Sequence, residues 1–138
     1  MKTKFQLLFL FLLTTTLVTA QKQTDFLGKW LGDDGSEIGY LIFDKEGYAA
    51  FETQGQLIGG KEFVMNGEKG KMTYSINTEA SPIEIDLTIT KMSSGESKVI
   101  RCIAQFEEKD VMKFALAFDA ERPKNFEGDN AIMLKRVK

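Results

Sequence analysis

Side chains that carry most enzyme chemistry are sparse in this chain. Its 138 residues include no histidine and one cysteine, Cys102. Without histidine, Cys–His and Ser–His–Asp nucleophiles are excluded, as are histidine-ligated metals. Cys102 cannot form a disulfide within the chain. It reads as a small buried core residue, with a reactive thiol as the alternative. In "GDDGSE", 32–37, Asp33, Asp34 and Glu37 could offer oxygens to calcium, but the spacing is not that of a calcium loop. A polar hairpin turn is the better reading. Gly59-Gly60 lacks the Gly-x-Gly-x-x-Gly spacing of a phosphate loop. No carboxylate pair stands out for glycoside hydrolysis. The expectation is a protein that is not an enzyme and carries no metal or cofactor.

What remains is binding chemistry. Tyr40 and Tyr74 could each offer a hydroxyl to a mostly apolar ligand. Cys102 and Ala104 are small enough to leave a hollow beside Phe114, with Met112 nearby. Phe126 lies in "DAERPKNFEGDN", 119–130, the longest break between strand signals, and could cap such a site. The other reading of that loop has it packed over the end of the domain, with Phe126 as its anchor and Arg122 paired to a carboxylate. "GQLIGGKE", 55–62, is either a mobile apolar flap or a bent strand junction.

These residues must be held by strands. "SPIEIDLTIT", 81–90, puts Ile83, Ile85, Leu87 and Ile89 on one face and Glu84, Asp86, Thr88 and Thr90 on the other. A period of two with a charged outer face means one side is core and one is water. "KMTYSIN", 71–77, aligns Met72, Tyr74 and Ile76; "KVIRCIAQF", 98–106, aligns Ile100, Cys102, Ala104 and Phe106; "VMKFALAF", 111–118, aligns Met112, Phe114, Leu116 and Phe118. "EIGYLIF", 37–43, and "YAAFET", 48–53, are apolar on both faces; Tyr40 and Ile42 are placed inward. "KEFVMN", 61–66, is short, and "AIMLKRV", 131–137, ends the pattern. "DKEG", 44–47, and "NGEKG", 66–70, are hairpin turns, with "SSGE", 93–96, and "EEKD", 107–110, as further polar turns. The count is about eight or nine strands. Short connections pair neighbours antiparallel, and a meander of that length closes to remove its edges. The expected class is an all-β antiparallel up-and-down barrel, with an open sandwich as the alternative.

The first residues, "MKTKFQLLFLFLLTTTLVTAQKQ", have a basic start, a short apolar run and small residues before Gln21. This is a signal-peptide pattern over 1–20. The mature chain is then 21–138, exported to the periplasm or the extracellular space. Its 16 basic and 20 acidic residues leave a net charge of −4. Nothing there attracts nucleic acid, and no second apolar segment is long enough to span a membrane.

The single tryptophan sits in "DFLGKWLG", 25–32. Gly28-Lys29-Trp30 resembles the Gly-x-Trp that opens lipocalins and related small barrels. "PIEIDLT" (82–88), "ERPKNF" (121–126) and "LKRVK" (134–138) follow in order, and together the chain resembles a group of small exported bacterial lipocalin-like domains, largely uncharacterised. The resemblance implies that Trp30 plugs the closed barrel end and that an arginine of the last strand lies over it. Arg136 shares the parity of Ile132 and Leu134 and fills that place. Gly28, Trp30 and Arg136 are then barrel closure, with no ligand role. The chain has no Thr-Asp-Tyr lipocalin motif and no Arg-x-Tyr carboxylate grip, so the resemblance carries fold and names no ligand. The expected function is binding of a small apolar or amphipathic molecule inside the barrel, between Tyr40, Tyr74, Cys102, Ala104, Met112, Phe114 and Phe126. The alternative is a protein-interaction module with a filled core, presenting Val99, Ile103, Val111 and the second face of 37–51.

Overall fold

The alternation of apolar and polar residues resolves into ten strands in the computed structural model, which describes residues 20–33, 38–118, 121–129 and 131–138. The expected signal segment, Asp34 and Glu37 fall outside the described residues. The strands are β1 (Gly28–Gly32), β2 (Tyr40–Phe43), β3 (Ala49–Thr53), β4 (Gln56–Gly59), β5 (Phe63–Met65), β6 (Glu68–Asn77), β7 (Ile83–Lys91), β8 (Ser97–Glu108), β9 (Val111–Ala117) and β10 (Ala131–Arg136). A short 3₁₀ helix, Gln23–Phe26, precedes them. All pairings are antiparallel, in the order β4-β3-β2-β1-β10-β9-β8-β7-β6-β5. The pairing of β1 with β10 curls the meander into an up-and-down barrel.

Closure is nearly complete. β4 and β5 are the free edges of the sheet, and the gap between them is bridged at one end. There the Met72 amide donates to the Gly60 carbonyl (2.9 Å) and the Tyr74 amide to the Gly47 carbonyl (3.1 Å). Tyr48 also bridges Thr73. The count exceeds the expected eight or nine because β4 is a separate strand. Gln54 and Gly55 both take positive φ (51° and 78°), as Asn66 and Gly67 do (55° and 79°). That backbone makes a tight hairpin. Asn-Gly is legible as such a turn, whereas Gln-Gly carries a weaker signal.

The inner face holds Trp30, Leu41, Phe43, Met72, Ile85, Leu87, Cys102, Ala104, Met112, Phe114 and Leu134, all buried. Tyr40 and Ile42 point outward, contrary to the alternation first assigned. Both faces of β2 are apolar, so the pattern could not choose between them. Pairing with β1 does: Leu41 lies opposite Trp30, and Tyr40 opposite the exposed Leu31. Phe118 is a second correction. The buried run of β9 stops at Ala117, and Phe118 is 62% exposed.

The connection after β9 was expected to pack over the barrel end with Arg122 paired to a carboxylate. Arg122, in the described part 121–129, does pair with carboxylates, and it does so on the outer wall. That guanidinium reaches Asp86 (2.6 Å), Glu84 (3.6 Å) and the carbonyls of Cys102 (2.8 Å) and Ile85 (3.2 Å). Glu84 and Asp86 are outward residues of β7. Ile103, Ala115 and Ala117 also sit at outward positions, yet they are buried and lie apart from the inner core cluster. Replacing Arg122 with Ala should release the connection after β9, a strap on this wall: limited proteolysis should cut within 118–130 much faster, while the barrel loses about 1–2 kcal/mol.

Candidate functional site

One end of the barrel is closed by the 3₁₀ helix, the β2–β3 and β8–β9 turns and the C-terminus. Trp30 is its centre. The indole N–H donates to the Phe26 carbonyl (2.9 Å), which ties the helix beneath the barrel. The Arg136 guanidinium stands 4.2 Å from the indole centroid. Its Nη2 donates to the Asp25 carbonyl (2.6 Å), its Nη1 to the Leu27 carbonyl and its Nε to the Asp110 carboxylate (2.7 Å). One side chain thereby joins the helix, β1, the β8–β9 turn and β10. Phe106 packs edge-on against both Phe26 (4.9 Å) and Trp30 (5.9 Å).

The glycine of Gly-x-Trp has a physical reason here. Gly28 takes φ +123°, and a Cβ at that position would lie 3.1 Å from Arg136 Nη1. A side chain would strain the backbone and crowd the guanidinium.

The residues expected to meet a ligand are not all brought together. Cys102, Ala104, Met112 and Phe114 share the inner wall of β8 and β9 and are fully buried. Burial pushes the Cys102 thiol well above its usual range, so it stays protonated and behaves as a core residue. Tyr74 also points inward, but its hydroxyl donates to the Asp44 carbonyl (2.6 Å), with Gln23 beside it. Burial first, and then the Asp44 charge, raise the Tyr74 pKa and keep the hydroxyl a donor. Tyr40 stands outside under the Lys29 ammonium (4.2 Å), which also pairs with Glu52 (2.7 Å). The Tyr74 hydroxyl is thus engaged by backbone, and Tyr40 stands on the outer face. Phe126 is partly buried in the strap.

The opposite end carries the β3–β4, β5–β6 and β7–β8 turns and the connections after β1 and β9. Near it the inner wall stays apolar while water reaches it. Phe51, Ile58, Ile89 and Ile132 are partly exposed, and Met65, at an inner position of β5, is 44% exposed. Ile89 and Ile132 are legible as inner residues in the sequence, but the inward placing of Ile58 and Met65 is not, because they belong to strands of four and three residues, too short to show a period. No cluster of His, Cys, Asp and Glu that could hold a metal occurs among the described residues. No helix among them is long and apolar enough to cross a membrane.

Arg136→Ala should destabilise the barrel by about 3 kcal/mol, through the lost cation–π contact and two unpaired carbonyls, and should shift Trp30 emission. The Arg136 hydrogen bond holds the Asp110 carboxyl below the usual carboxylate range. A carboxylate with a lowered folded pKa stabilises above its unfolded pKa and loses that contribution as pH falls through its folded value. Acid titration of stability should therefore flatten below about pH 4 in Asp110→Asn.

No protein-family model, no curated protein and no solved structure matches the chain.

Proposed function

We propose that this barrel is a non-catalytic binding protein of lipocalin-like type, exported after removal of 1–20. It would hold a small apolar or amphipathic molecule at the end of the barrel opposite Trp30. One observation carries the reading: the inner wall is apolar at positions where water still reaches it. Phe51 and Ile89 pack against the core on one side and meet water on the other, and Ile58 and Met65 extend that apolar surface. Their burial against a ligand would be favourable at roughly 25 cal/mol per Å² of apolar surface. The site lies above the residues first favoured, since Cys102, Ala104, Met112 and Phe114 have no solvent contact. The chemistry is shape and apolar area, without the tyrosine hydroxyls.

A protein-interaction reading also has an observation in its favour. Leu57 and Val64 are 55% and 60% exposed on β4 and β5, the two strands with unpaired edges. The surface first proposed for that reading is reduced, because Ile103 is only 2% exposed.

A polarity-sensitive apolar dye separates the two. Ile58→Asp and Ile89→Asp, at inner positions, should each weaken dye binding at least tenfold while leaving Trp30 emission unchanged. Leu57→Ser and Val64→Ser, at outer positions, should leave it unchanged. The reverse pattern would overturn the binding proposal in favour of the edge surface.

A further inference from the structure

Cations at inner-face positions of the described strands are three. Arg136 belongs to the closed end. Lys91 is held by Glu68 (3.5 Å) and Glu96 (3.9 Å). Lys98 is the third. It lies opposite Ile89 in the β7–β8 ladder and shares the parity of Ile100 and Cys102. It is exposed and has no ion-pair partner among the described residues. Below it along the same face come the buried Ile100 and Leu87, which oppose one another. Phe118, one residue past β9, adds exposed aromatic surface at this end.

From this juxtaposition we infer that Lys98 receives the anionic head of a single-chain amphiphile, whose tail lies along Ile89 toward Phe51 and Ile58. The inference rests on the binding reading above and names its ligand class. An ammonium with no carboxylate partner among the described residues, beside an accessible apolar wall, matches a molecule that is anionic at one end and apolar along the rest. Glu68 and Glu96 hold Lys91, so that side of the rim repels an anion and leaves Lys98 as the head position. The head could be a free fatty carboxylate or the phosphate of a lysophospholipid, since an ammonium accepts either as a point charge. Because Lys98 is exposed, its contribution is modest and salt-dependent.

Competition against the apolar dye tests this with hexadecanoate, hexadecanol and a lysophosphatidate of the same chain length. The wild-type barrel should prefer at least one anion over the alcohol by about three- to tenfold at low salt. Preference for hexadecanoate assigns a carboxylate head, and preference for the lysophosphatidate a phosphate head. Lys98→Gln should abolish the preference with alcohol binding unchanged, Lys98→Arg should keep it and Lys98→Glu should invert it. Equal anion-to-alcohol ratios in the wild type and Lys98→Gln would overturn the assignment while the binding reading stands. No binding of alcohol, anion or dye would overturn both.

Discussion

The Arg136–Trp30 contact is the constraint on which this barrel depends. A meander of ten strands has two free ends, and nothing in local alternation tells the last strand to return to the first. The β1–β10 ladder does so, with Trp30 directly opposite Arg136. A guanidinium in that place is acceptable only with its hydrogens satisfied, and the carbonyls of Asp25 and Leu27 and the Asp110 carboxylate supply partners. Asp25 and Leu27 lie in and at the end of the 3₁₀ helix, and Asp110 lies in the β8–β9 turn. The arginine thus converts one cation into a four-way fastening, and the 3₁₀ helix seats Phe26 as the floor.

Fixing one end allows the other to differ. Trp30, Phe26, Phe43 and Leu134 are fully enclosed there, and they concentrate aromatic packing at the closed side. The opposite end has shorter strands on one flank, β2 to β5, and longer ones, β6 to β8, on the other. Phe51, Ile58 and Met65 belong to the short strands and Ile89 to the long β7, so apolar inner residues of both flanks meet water there.

Much of this was legible in the sequence, for particular reasons. β7 alternates four apolar residues with charged or hydroxyl residues, so its face was unambiguous, as were those of β6, β8 and β9 up to Leu116. The parity of Arg136 and the Gly28-x-Trp30 spacing placed the closed end. β2 was misread because Tyr40, Leu41, Ile42 and Phe43 are all apolar enough to be inside, and only its ladder with β1 decides. The strap could not be placed because Arg122 finds its partners 36 and 20 residues away, on β7 and β8. The hydroxyl of Tyr74 was open to two uses, and the Asp44 carbonyl that takes it lies 30 residues away.

The central claim is that the far inner wall is occupied by a small molecule. Native mass spectrometry of the protein purified gently from its own host tests it most directly. The account predicts a mass above that of the bare chain beginning at Gln21, released on denaturation as a compound with a substantial apolar part. A chain that flies at its bare mass, and remains bare after incubation with single-chain amphiphiles, would contradict it.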